Sequence, residues 1–259
     1  MGRILENNHQ INIQKMEKFS LYDLLGLLLP GVLFVYFCNV LNSIFGVVQF
    51  TIATNGLDVN TFIILCFALI AGAMLYAVNF SLIKRTWYKR LFGMKKPIDE
   101  LYLKLDISYQ EMNQILNKKA QEWYKKPIFF SNEELKKRNA ELTAEEKKLQ
   151  DDYYVRMYYE LEYLDKIDTA KTLQSFYYFF RQIVTACLLL LGLYLLLTIY
   201  HLISGTVIPA DQNKLLVWLP VLLVLTTILS AGHAQWYRKS MVLKMFWAYF
   251  THLNQPLNK

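Results

Sequence analysis

The chain has 259 residues, 54% hydrophobic, 15% aromatic and 19% charged, with a formal net charge of +7. A soluble domain of this length carries more charge and disperses its apolar residues in short periodic runs, so the long apolar blocks found here exclude that class. The basic excess does not require nucleic acid, because it gathers beside the apolar blocks, where anionic lipid headgroups attract each Lys or Arg by about 1 kcal/mol.

Residues 1–20 are polar and lack a short apolar core ending in a small-residue cleavage site, so no cleaved leader is expected. "MGRILE" lacks the Ser or Thr of a myristoylation signal. The first apolar block, residues 21–45, opens with "SLYD", a capping box that places Asp23 in the first helical turn, where a carboxylate favours the positive helix end. The alternative for Asp23 is pairing with Arg85 or Arg181 between helices. Pro30 lacks an N–H and would collide with the carbonyl of Gly26, so a kink is expected there, with Gly31 giving slack and a gating hinge as a further reading. Asn39 and Asn42 stand one turn apart near the other end of this block. Such residues make an interhelical hydrogen bond or line a polar path in an oligomer.

The second block, residues 61–82, carries Ala68 and Gly72 at a four-residue step, a spacing that lets helix backbones approach closely in lipid. The third and fourth blocks, residues 183–203 and 215–230, complete two hairpins; Pro220 is expected to bend the last. Crossing a bilayer core takes roughly 17–25 residues, so the chain reads as a four-span membrane protein. Cys38, Cys66 and Cys187 all fall within these spans and read as small apolar packing residues rather than disulfide or metal partners.

Lys and Arg set the expected orientation. The connection at residues 46–60 has none and the one at 204–214 only Lys214, whereas Lys84, Arg85, Lys89, Arg90, Lys95 and Lys96 follow the second span directly. Arg238 and Lys239 follow the fourth. Both termini and residues 83–182 are therefore expected in the cytoplasm, with the basic residues against lipid headgroups.

Residues 83–182 show no strand alternation and read as a helical domain inserted between spans two and three. "SYQE" at Ser108, "SNEE" at Ser131 and "TAEE" at Thr143 are capping boxes, and Pro127 separates two helices. After Thr143 no Pro or Gly occurs before Gly192, so one long continuous helix is expected to run into the third span. Leu149, Tyr153, Met157, Leu161, Leu164 and Ile167 form its apolar stripe, facing either its own chain or another copy. Tyr153, Tyr154, Tyr158, Tyr159 and Tyr163 along it read either as a partner interface or as the wall of an intramolecular bundle. Residues 237–259 read as an interfacial tail.

No charged residue sits near the middle of a span, His9, His201, His233 and His252 lack ligand spacing, and no phosphate-cradling glycine loop or nucleophile turn occurs. No cofactor, metal site or enzymatic activity is expected. "FSLYDLLGLLLPG", leading a four-span chain with a helical insert, resembles the small membrane proteins that accompany bacterial stress and phage-defence systems. The resemblance implies a bacterial inner membrane and an effector whose cytoplasmic module answers a protein or small-molecule signal by changing packing or permeability. A homo-oligomer or a membrane partner protein follows from either that reading or its alternative, a passive scaffold.

Overall fold

The computed structural model describes residues 24–46, 57–92, 110–130, 143–205 and 213–254, and every regular element among them is helical. In chain order these are a π-helical stretch Leu24–Leu28, then α1 Leu29–Phe45, α2 Leu57–Leu82, α3 Thr86–Leu91, α4 Gln110–Tyr124, α5 Ala144–Tyr163, α6 Asp168–Ser204 and α7 Asn213–Asn254. Four segments among the described residues are long and apolar enough to cross a membrane: Gly26–Phe45, Ile63–Leu82, and the helices carrying Asp168–Ser204 and Lys214–Asn254. This is the make-up of a multi-pass membrane protein. The chain divides into two units, Met1–Gly93 with Ser175–Trp236, and Met94–Gln174 with Tyr237–Lys259.

The first unit holds the apolar helices. Their outward faces carry Phe67, Ile70, Met74, Leu195, Leu196, Trp218 and Leu229 in the open, an arrangement suited to lipid rather than water. Leu41, Ile44 and Phe45 of α1 pack with Ile183, Cys187 and Leu190 of α6 and Leu219 and Leu223 of α7. Helix α1 ends on Gly46, whose left-handed backbone (φ 60°) turns its N–H onto the Asn42 carbonyl at 2.8 Å.

The second unit is built from α4, the non-helical residues 127–130, α5, the first turns of α6 and the last turns of α7. Tyr153, Met157 and Leu161 of α5 are fully buried against Met112 and Leu116 of α4 and Met245, Phe246 and Tyr249 of α7. The stripe that the sequence left open thus faces its own chain. Buried residues 128–130 form no helix, and side chains satisfy their backbone: Asn117 accepts from the N–H groups of Ile128 (3.1 Å) and Phe129 (2.8 Å) and donates to the Phe129 carbonyl (2.6 Å), while Gln150 donates to the Ile128 carbonyl (2.6 Å). Segment 237–254, which the sequence suggested was a tail at the interface, supplies a wall of this core.

One expectation is corrected. The single long helix from Thr143 into the third span is two helices, α5 and α6, separated at residues 164–167. Asp165 adopts the left-handed conformation (φ 54°), one of the few non-glycine residues that do so readily. Lys166 N–H then bonds the Leu161 carbonyl (2.9 Å) and Asp165 N–H the Glu162 carbonyl (3.1 Å), the paired closure that ends a helix without glycine or proline. Ile167 is buried just beyond, and Lys171 ties back to Glu162 at 2.6 Å.

The capping box at Thr143 forms in full: the hydroxyl accepts from Glu146 N–H at 3.2 Å, and the Glu146 carboxylate accepts from Thr143 N–H at 2.8 Å. The boxes at Ser108 and Ser131 begin outside the described residues. Thr143→Ala is expected to cost about 1 kcal/mol locally, speeding amide exchange in the first turn of α5 roughly five-fold while leaving the first unit unchanged. Hydrogen-exchange mass spectrometry on the detergent-purified chain measures it.

Candidate functional site

The first unit places the predicted small residues in one contact. A methyl group at Gly31 would collide with the Ala68 carbonyl oxygen and stand 2.9 Å from the Gly72 nitrogen; one at Gly72 would collide with the Leu27 carbonyl oxygen. Each helix presents a glycine to the other's backbone, so the partner of the second span's small-residue face is the first span of the same chain. Gly26, Pro30 and Gly31 are buried. Pro30 does not interrupt an α-helix but opens one: it lies in the first turn of α1, directly after the π-helical stretch Leu24–Leu28. The wider turn changes the hydrogen-bond register ahead of a residue that has no N–H.

Below this contact α6 is enclosed on all sides, for every residue from 181 to 187 is buried. Several of these buried groups are polar. Asn79, fully buried in α2, donates to the Thr185 hydroxyl (3.0 Å) and the Arg181 carbonyl (3.2 Å). Thr185 has one hydroxyl proton and gives it to the Arg181 carbonyl (3.1 Å), so Tyr88 of α3 is the donor in the 2.8 Å bond between Tyr88 and Thr185. Burial pushes the Tyr88 phenol up to about 12, which keeps it a neutral donor.

Arg181 is 5% exposed, and no carboxylate pairs with it among the described residues. Its guanidinium lies over the rings of Tyr178 (4.8 Å) and Tyr177 (5.2 Å), and Nη1 donates to the Tyr177 hydroxyl at 3.3 Å. Four side-chain atoms in the cluster have no hydrogen-bond partner: Arg181 Nε, Asn79 Oδ1 and both amide atoms of Gln182. Gln182 is 1% exposed. Native interiors rarely leave such groups open.

Sequence reading missed this cluster. Arg181 entered it only as a boundary cation and Tyr88 only as an aromatic at the expected inner boundary, while Asn79, Gln182 and Thr185 were not singled out. The available signal was Arg181 and Thr185 one helical turn apart at the mouth of a span, with an asparagine near the end of another.

The remaining predicted residues are spread out. Lys84, Arg85, Lys89 and Arg90 are exposed around α3 beside exposed Trp87, while Lys95, Lys96 and Asp23 lie outside the described residues. In α7, Arg238 is half-buried and Lys239 exposed; Pro220 is half-buried within a helix that continues through it. Asn39 is exposed, and Asn42 is half-buried with its carbonyl engaged by Gly46.

The tyrosine assignment needs correction at one position. Tyr153 cannot meet a partner because it is fully buried between Trp123, Phe129 and Tyr249. Tyr154 and Tyr158 are half-buried, whereas Tyr159 and Tyr163 are 63% and 89% exposed. On the same helix Asp152 accepts from the Tyr124 hydroxyl (2.7 Å) and from Arg156 Nε (2.9 Å). The Tyr124 bond, aided by Arg156, holds the Asp152 carboxyl below its usual range. A depressed folded value stabilises above the unfolded value, near 3.9, and that stabilisation disappears as pH falls through the folded value. Tyr124→Phe is therefore expected to raise the Asp152 midpoint toward the ordinary value, read by carboxyl NMR titration; an unchanged midpoint would refute the link. No protein-family model, curated protein sequence or solved structure matches this chain.

Proposed function

We propose that this protein is a non-enzymatic membrane effector: its helical module, residues 83–182, lies in the cytoplasm, binds a signal or partner, and in response alters the packing or permeability of the spans. Both termini are cytoplasmic in this reading, in a bacterial inner membrane, and the exposed Lys84, Arg85, Lys89 and Arg90 meet anionic headgroups. The observation that supports it most is the continuity of α6 and α7, of 37 and 42 residues. Each carries residues of both units: Ala170 of α6 and Val242, Met245, Phe246 and Tyr249 of α7 lie in the core of the second unit, while residues 175–204 and 213–236 belong to the apolar unit. Arg181 and Gln182, whose side chains carry buried polar atoms without hydrogen-bond partners, lie on α6.

The test is controlled expression in a bacterium loaded with a membrane-potential dye. Wild type is expected to depolarise the membrane and Arg181→Leu, present at equal level in the membrane fraction, to do so much less. Wild type that leaves the potential unchanged overturns the proposal. A second reading, a scaffold that assembles another membrane protein, draws support from Tyr159 and Tyr163, large aromatics left open on α5. It expects normal polarisation with a co-purifying partner that Tyr159→Ser/Tyr163→Ser releases. Detergent-phase mass measurement separates the two further, since four spans in a monomer are too few to enclose a conduit and permeation requires a homo-oligomer.

A further inference from the structure

In the last turn of α7 a histidine stands between a cation and an acid that belong to different elements of the second unit. His252 is half-buried, with Lys166 Nζ 3.3 Å from its Nδ1 and Glu160 Oε1 3.9 Å from its Nε2. Lys166 lies in the link 164–167 between α5 and α6, and Glu160 in the last turn of α5, so one imidazole joins the end of α7 to both. An ammonium has no lone pair, so Lys166 donates and Nδ1 is the unprotonated nitrogen. The proton of the neutral ring is then on Nε2, the side of Glu160. Glu160 is fixed independently of the ring: its other oxygen accepts from the hydroxyl of fully buried Tyr249 at 2.8 Å.

The two contacts answer a proton in opposite ways. A proton on Nδ1 removes the lone pair that Lys166 uses and leaves two like charges 3.3 Å apart. The same proton makes Nε2–H and Glu160 an ion pair, which draws the ring toward α5. The other charged groups on these elements do not undo that choice. Lys171 of α6 is committed to Glu162 of α5 at 2.6 Å, and Lys244 of α7 lines the same concavity as Lys166 and His252, which adds to the positive side. Lys166 is exposed and engages more than the ring, and the acids nearest it in sequence, Asp165 and Asp168, favour its ammonium once the ring turns away. We propose that His252 is a pH-operated latch: neutral, it holds the α5–α6 link to the end of α7 through Lys166; protonated, it lets the link go and turns to Glu160. The device belongs to the second unit by itself and does not rest on the effector reading.

The experiment uses the full chain in phosphatidylcholine nanodiscs and compares about pH 7.5 with about pH 5.5, a window in which imidazole changes charge while ordinary carboxyl and ammonium groups do not. Hydrogen-exchange mass spectrometry reads residues 164–167, with rates corrected for the intrinsic effect of pH. Protection of the link in wild type is expected to fall roughly three-fold or more on acidification, while the first turn of α5 keeps its protection. In His252→Phe, and in the milder Lys166→Gln at an exposed position, the link is expected to show the lower protection at both pH values. Nitrogen NMR of the histidine-labelled chain, with the His252→Phe spectrum identifying the signal, is expected to show the Nε2–H form of His252 at pH 7.5. Equal protection of the link at the two pH values in wild type overturns the proposal. So does an acid-induced loss that persists in His252→Phe, or an Nδ1–H ring at pH 7.5, since either takes the proton-dependent contact away from Lys166.

Discussion

Gly31→Leu is expected to separate the first two spans, lowering the stability of the first unit by about 3 kcal/mol or more. The cause is backbone contact: the added side chain must displace the Ala68 carbonyl, and a carbonyl inside a helix has no alternative rotamer. Even Gly31→Ala introduces the colliding atom, and Gly72→Ala does the same from the other side against Leu27. The contrast is Gly192 of α6, where an added Cβ meets nothing within 4 Å. Gly192→Ala is expected to be neutral or to stabilise by up to about 1 kcal/mol through helix propensity. Thermal denaturation of the four variants in one detergent decides the matter; Gly31→Ala melting together with Gly192→Ala would remove the close contact from the account.

The second large effect has the opposite sign. Gln182→Leu is expected to stabilise the protein by about 1–3 kcal/mol, because it removes a buried amide whose oxygen and nitrogen both lack partners and replaces it with an apolar group of similar volume. Under the proposed effector function the same variant is expected to melt higher yet depolarise membranes less, a separation that a purely structural residue would not produce. Destabilisation by Gln182→Leu would show that the amide is satisfied in the folded chain, and the functional argument at this cluster would fall with it.

Much of the architecture was legible because the apolar blocks are long and the breakers are few. The four apolar helices, the small-residue face of Ala68 and Gly72, and the box at Thr143 all follow from local spacing, whereas the partner of that face, Gly31 of the first span, does not. The break between α5 and α6 was hidden because Asp165, rather than a glycine or proline, takes the left-handed turn, and aspartate in a charged helix carries no such signature. The role of residues 237–254 was hidden for another reason. Val242, Met245, Phe246 and Tyr249 pack on α4 and α5 across a separation in sequence that no periodicity records, and a basic stretch after a span looks interfacial on composition alone. The cluster at Arg181 depends on three helices meeting, so Asn79 and Tyr88 gain meaning only once α2 and α3 are placed against α6.

The contribution of the last turns of α7 to the second unit fixes an order of events in biosynthesis. When a ribosome has translated only as far as Trp236, α4 and α5 are already complete, yet Tyr153 and Met157 still lack Phe246 and Tyr249 as neighbours. Their apolar surface stays uncovered on that side until the final stretch emerges. The second unit thus closes only after the fourth apolar helix has been made, so a nascent chain that stalls before that point carries spans beside an unfinished core.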